Sequence, residues 1–265
     1  MKKISLLLAL VMILGFTANA FAVSTIDSVL KRNELRCGID SGYIPFEMTD
    51  KTGKFIGFEI DLARELAKAM GVKFVPVNMA FDGIIPALKT DKVDIITAGM
   101  TVTQERNLQV NFAEPIITVG QTVIVNKKHE GKVKSHRDLN SPEYTLVAKL
   151  GTTGEQAAKR YFPKAHYKSF DTETDAAMAV ANGQADAMVY DLPFNALFMA
   201  DHGAKKLFFL DKPFTYEPIA WGIRKGDPDF LNFINNFMQQ IKNDGRYEKL
   251  YAKWFKSTNW KKSLQ

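Results

Sequence analysis

The sequence reads as an α/β protein with two units, each based on a parallel sheet, and three observations point there. First, strand, helix and strand follow one another between Leu35 and Val77, the order that lays strands parallel. Second, ALKTDKVDIITAG (87–99) and AVANGQADAMVYD (179–191) share one pattern of helix, turn, apolar strand and polar loop. Third, two apolar, β-rich stretches, Pro115–Val125 and Pro218–Arg224, flank the second unit and read as two crossings between lobes. At 265 residues and 46% hydrophobic content, the chain can bury the core that two lobes need.

The N-terminus carries Lys2 and Lys3, an apolar run from Ile4 to Phe16, and small residues at Ala18, Ala20 and Ala22. This pattern predicts a cleavable signal peptide over 1–22, too short and wrongly flanked for a spanning helix. The cleaved protein is expected in the periplasm. Net charge is +6, falling to +4 without Lys2 and Lys3. The lysines at 127–134 and 253–262 read as solvated faces, so no nucleic-acid partner is expected. The single cysteine, Cys37, cannot form an internal disulfide and reads as a buried thiol.

Leu35–Ile39 reads as a strand ending at Asp40, followed by a turn-rich loop through Phe46. Helical spacing of Ile60, Ala63, Leu66, Ala67 and Met70 predicts a helix over 57–71, and a strand follows at Val72–Val77. A short helix at Gly83–Lys89 leads into a strand at Val93–Thr97 and the loop AGMTVTQER (98–106). There, Gly99 allows a close backbone approach and Thr103 reads as an N-cap. Arg106 falls at about the third helical position, where the macrodipole disfavours a cation unless an anion is near. A surface pair with Glu105 is the plain alternative.

Tyr144–Leu150 reads as a strand, Gly151-Thr152-Thr153-Gly154 as a loop and Glu155–Tyr161 as a helix, an arrangement suited to a carboxylate or serving only as a turn. It is no P-loop, since the Lys-Ser/Thr pair is missing. Asp175–Ala181 reads as a helix and Ala185–Tyr190 as a strand, with Asp191 at its end as either a helix cap or a site residue. A long helix at Asp229–Asn243 and an amphipathic one bearing Tyr247, Leu250, Tyr251, Trp254 and Phe255 close the chain, the aromatic stripe reading as core. Four strands thus end in ligand-competent positions: Asp40, Ala98–Thr101, Lys149 and Tyr190-Asp191. Ligands of open α/β sheets bind beyond such ends.

The block Asp82–Glu114, with AGMTVTQER at its centre, and the ending DGRYEKLYAKWF resemble the family 3 periplasmic solute-binding proteins of amino-acid ABC importers. The resemblance covers essentially the whole mature chain. It implies a two-lobed type II fold with a two-strand hinge: lobe 1 over 23–117 plus 220–265, lobe 2 over 118–219. It also implies that Arg106 takes the ligand carboxylate, that Ala98, Gly99, Thr101 and Asp191 hold the ammonium, and that Tyr43 and Phe81 sandwich the ligand side chain near Asp40. Thr152 and Thr153 extend the site at the second glycine-flanked loop.

Lys149 and Asp40 together look most like glutamine-binding members, although Tyr190 stands where that subgroup has a histidine. A donor and an acceptor suit a carboxamide, and a cationic ligand would face Lys149, so glutamine ranks first among polar L-amino acids. The implied partner is the membrane permease of an ABC importer, with a monomer expected and neither cofactor, metal nor catalytic group. The alternative is a periplasmic dehydratase of prephenate or arogenate on the same scaffold. That would need a general acid beyond Asp191 and Arg106. A sensory domain would need a following transmembrane segment.

Overall fold

The computed structural model describes residues 24–203 and 205–264. The expected signal peptide lies outside them. No helix of the described residues is long and apolar enough to cross a membrane.

The elements in chain order begin with α1 (Thr25–Arg32), β1 (Glu34–Ile39), the hairpin β2 (Met48–Thr49) and β3 (Phe55–Ile56), α2 (Phe58–Ala69) and β4 (Lys73–Asn78). Next come α3 (Ile84–Lys89), β5 (Ile95–Ile96), α4 (Gln104–Asn107), β6 (Asn111–Phe112), β7 (Ile117–Val119) and β8 (Gln121–Asn126). The second unit continues with β9 (Thr145–Lys149), α5 (Thr153–Tyr161), β10 (His166–Phe170), α6 (Glu173–Ala181), β11 (Ala187–Asp191), α7 (Leu192–Phe198) and β12 (Leu207–Leu210). The chain then returns through β13 (Glu217–Ile219) and β14 (Gly222–Ile223) to α8 (Pro228–Asn243) and α9 (Arg246–Tyr251).

Two five-stranded sheets form two lobes, ordered β4-β1-β5-β14-β6 and β10-β9-β11-β8-β12. Both are based on parallel strands as expected, β4-β1-β5 and β10-β9-β11, and each also takes in one antiparallel strand. β14 runs antiparallel to β5 and β6, and β8 runs antiparallel to β11 and β12. The cause lies in the crossings. A chain that leaves one sheet and enters the next without a helix arrives reversed, so β8 and β14 each oppose their neighbours. The crossings themselves pair as an antiparallel ribbon, Ile117 opposite Ile219 and Val119 opposite Glu217.

The first sheet is buried on both faces, which explains why β1 is apolar from Leu35 to Ile39 apart from Arg36, whose guanidinium pairs with Asp94. Leu35, Cys37 and Ile39, all fully buried, join the core that includes Ile60 and Leu66 of α2. On the other face, a Cβ at Gly38 would lie 3.3 Å from Ile84 of α3. Helix α8 adds Phe230, Ile234, Phe237, Met238 and Ile241, spaced to fall on one stripe. The terminal aromatic stripe packs as expected: Phe58 meets Tyr247 and Phe255 edge-on at 5.7 and 5.1 Å. Its helix runs only to Tyr251 and continues as a π-turn through Lys256.

Candidate functional site

All twelve residues singled out from sequence line one cleft between the two sheets: Asp40, Tyr43, Phe81, Ala98, Gly99, Thr101, Arg106, Lys149, Thr152, Thr153, Tyr190 and Asp191. Glu47 and Gln121 join them. The four polar strand ends converge because each follows a strand running toward the cleft, β1, β5, β9 and β11. The remaining cavity is about 20 Å³, space for roughly one water molecule. Side chains from the two lobes meet directly across it.

Arg106 is 6% exposed. Its Nη1 donates to the Thr101 carbonyl at 2.9 Å and its Nη2 to the Gly151 carbonyl at 3.0 Å, while its guanidinium stacks 5.2 Å from the Phe81 ring centroid. Burial lowers its pKa to about 10, so it stays charged at neutral pH. Thr103 caps the helix as expected, its hydroxyl accepting the Arg106 N–H at 3.1 Å. The dipole argument fails, however: α4 has four residues, too few for a substantial macrodipole, and the guanidinium reaches away from it. Glu105 takes no part in holding the side chain.

Asp191 begins α7 in a capping position, yet its carboxylate makes no cap bond. It is turned into the cleft, accepting from the Tyr43 hydroxyl and from Gln121 Nε2, both at 2.5 Å. Burial pushes its pKa up to about 7 despite these two donors. Gln121 also reaches the Thr153 hydroxyl at 3.3 Å, and the Thr101 and Thr153 hydroxyls stand 3.4 Å apart across the cleft.

Tyr43 and Phe81 do not form the expected free sandwich. The Tyr43 ring lies stacked on Phe46 at 4.4 Å and edge-on to Tyr190 at 5.7 Å, and Phe81 underlies Arg106. The close approach expected at Gly99 is to Tyr43. With φ +59, a Cβ there would lie 2.3 Å from the ring. The glycine-flanked loop before α5 is also partly spoken for: the Gly151 N–H donates to Glu155 at 2.7 Å, and Thr152 caps the helix by accepting the Glu155 N–H.

Lys149 is not a free donor. Only 3% exposed, it donates to Glu173 at 2.7 Å and forms an ion pair with Asp40. Burial alone would lower its pKa, but the Glu173 and Asp40 carboxylates outweigh that and raise it. Behind it lies a second acid pair. Glu59, fully buried, accepts the Gly99 N–H and, at 3.0 Å, the Trp221 indole N–H. Burial raises Glu59 to about 7, and burial together with the adjacent Glu59 raises Glu47 well above the usual carboxylate range. Among the described residues, no cluster suited to a metal ion occurs.

Sequence reasoning missed Glu47, Glu59, Glu173 and Gln121. The one available signal concerned Glu173: α6 starts at Glu173 with Thr172 as its cap, two residues before the expected start, placing a glutamate at the cleft end of the helix.

The sequence profile described as "Bacterial extracellular solute-binding proteins, family 3" matches residues 35–257. The glutamine-binding ABC-transporter protein of Bacillus subtilis (strain 168) is 34% identical over 212 residues, 77% of this chain and 74% of that protein. Among solved structures, a putative ABC-transporter binding component from Wolinella succinogenes DSM 1740, complexed with lysine, is 56% identical with TM-score 0.84, covering 87% of this chain and 99% of that one. An ancestral amino acid-binding protein, a precursor of cyclohexadienyl dehydratase, is 48% identical with TM-score 0.83, covering 88% and 100%. With a cleft between two sheet-based lobes and a profile match over most of its length, the chain belongs to the bacterial extracellular solute-binding proteins of family 3.

Proposed function

We propose that this protein captures a basic L-amino acid, lysine or arginine, between its lobes and delivers it to the permease of an ABC importer. The observation that carries the ligand class is the charge balance at the deep end of the cleft. Asp40 and Glu173 face a single cation, Lys149, leaving one negative charge in a buried site, and the Glu47 and Glu59 pair behind them supplies no cation to offset it. A monocationic side chain neutralises this site, and a carboxamide leaves it charged at a desolvation cost. The lysine complex of the Wolinella protein supports the same class. The Bacillus relative, named for glutamine, supports glutamine as the second reading, in which Lys149 and Asp40 serve as donor and acceptor.

In this reading Arg106 turns from its two carbonyl partners to the ligand carboxylate, a bidentate match for a guanidinium. Asp191 exchanges the Tyr43 hydroxyl for the α-ammonium. Ala98, Gly99, Thr101, Thr152 and Thr153 frame the main-chain atoms of the ligand, and Phe81 and Tyr190 flank its side chain. The lobes divide at the ribbon, 23–117 plus 220–265 against 118–219, and the protein acts as a periplasmic monomer after losing residues 1–22. The small cavity requires the lobes to part for entry, so ligand binding is coupled to hinge motion.

The test is a competition titration by calorimetry with refolded, ligand-stripped protein against lysine, arginine, histidine, glutamine and cystine. Lysine or arginine should displace glutamine. Preference for glutamine would return the ligand to the carboxamide class. Measured turnover of prephenate or arogenate would replace transport with dehydration.

A further inference from the structure

We propose that Lys149 is a built-in competitor of the ligand: its ammonium bridges the lobes at Asp40 and holds the cleft shut until a ligand cation takes Asp40 from it. The inference rests on the basic-ligand reading for its second half only; the bridge itself stands on geometry.

Lys149 ends β9 of the second sheet, and Glu173 begins α6 of the same lobe, so their 2.7 Å contact lies within one rigid unit. Asp40 follows β1 of the first sheet, so its ion pair with Lys149 crosses the cleft. Opening the hinge breaks the second contact and leaves the first intact. Glu173 therefore keeps the ammonium paired in both states; in the closed arrangement its carboxylate is fully buried against the opposite lobe, where a Cβ at Gly42 would lie 2.8 Å from its Oε1.

The pairing is asymmetric in consequence. In the open state Asp40 is exposed and free to receive a cation, whereas Lys149 is already satisfied. In the closed state without ligand, Lys149 spans both carboxylates, and the Tyr43 hydroxyl likewise bridges to Asp191 from the opposite lobe. The cleft thus contains a lysine ammonium at one end and a hydroxyl at the other, each making a polar contact across the lobes. A basic ligand must displace both, and a carboxamide would have to share Asp40 with a full positive charge. Ligand affinity is accordingly set by the difference between the ligand's contacts and those that Lys149 gives up.

The experiment compares the wild-type chain with Lys149→Met and Asp40→Asn, which cut the same bridge from either side. Small-angle scattering of the ligand-free proteins should give a larger radius of gyration for both variants than for the wild type. Calorimetry with L-lysine should then show affinity raised about tenfold or more in Lys149→Met, the value of one charge-assisted contact no longer displaced. In Glu173→Gln, which keeps the bridge but loosens the second partner of Lys149, lysine affinity should fall while the ligand-free radius stays that of the wild type. Unchanged scattering in both bridge variants overturns the closing role. Unchanged or weaker lysine binding by Lys149→Met overturns the competitor role. A wild-type protein that binds no basic amino acid, with both bridge variants still expanded, defeats the ligand assignment and leaves the bridge standing.

Discussion

Replacing Gly99 by alanine perturbs the cleft at a point where the cost can be worked out. The backbone there has φ +59, and a left-handed conformation costs an alanine about 1–2 kcal/mol. The new methyl would also sit 2.3 and 2.4 Å from two carbons of the Tyr43 ring. That ring cannot simply move aside, since it is 4% exposed, stacked on Phe46 and hydrogen-bonded to Asp191. Overpacking of this kind costs about 1–3 kcal/mol. The two effects together predict a loss of about 2–5 kcal/mol, or roughly 5–15 °C in melting temperature for a chain of this size. Urea unfolding of Gly99→Ala, Tyr43→Ala and the double variant separates the parts. The strain persists in the double variant and the clash does not, so the coupling between the sites should be about 1–3 kcal/mol. A loss under about 1 kcal/mol for Gly99→Ala, or additive behaviour in the double variant, would refute the packing argument.

Arg106→Ala should weaken ligand binding by at least about 10- to 150-fold, the worth of one charge-assisted contact, and Arg106→Lys should not restore it. Calorimetry that finds unchanged affinity would remove Arg106 from the site. Asp191→Asn should also bind far more weakly, because an amide cannot pair an ammonium ionically; intact binding would move the ammonium elsewhere. Stability and affinity should respond to pH in opposite directions. Asp191 and Glu59 are raised to about 7 from ordinary values of 3.8 and 4.5. Their contribution to stability is therefore complete below those ordinary values and lost as pH rises through about 7, so the ligand-free protein should melt higher at about pH 5.5 than at about pH 8. Ligand affinity should fall over the same acidification, since the ammonium needs Asp191 as a carboxylate. Parallel slopes in a thermal-shift and titration series would contradict the assignment.

The strand ends were legible because burial and direction are local properties: an apolar run such as Ala187–Tyr190 followed by Asp191 marks a carboxyl end whatever the chain does later. The Thr103 cap was legible for the same reason. The buried acids were not. Glu59 belongs to a helix whose apolar spacing says nothing of the Gly99 N–H or of Trp221, 162 residues on, to which it bonds. Glu173 reads as an ordinary first-turn acid until Lys149 and Gly42 are brought against it. What Lys149 offers was not legible on that account, since its partners decide whether its charge is offered to a ligand or already used. The antiparallel strands escaped too, because β14 finds its place between β5 and β6 only through the return crossing.

That insertion of β14 has a bearing on how the chain acquires its structure. Strands β8 to β12 lie within one continuous segment, 121–210, and can pair as soon as it is complete. The first sheet cannot finish in that way. The ladder partner of β6 is β14, which joins Phe112 to Gly222 across more than a hundred residues of intervening chain. Loop closure of that length is slow, and closing it through an already folded second lobe shortens the effective span. Assembly is therefore expected to run inside out along the sequence, the middle condensing first and the two ends being stitched together last. The amides of Asn111 and Ile223 should be among the last protected in pulsed hydrogen exchange, and protection as early as that of β8–β12 would refute this order.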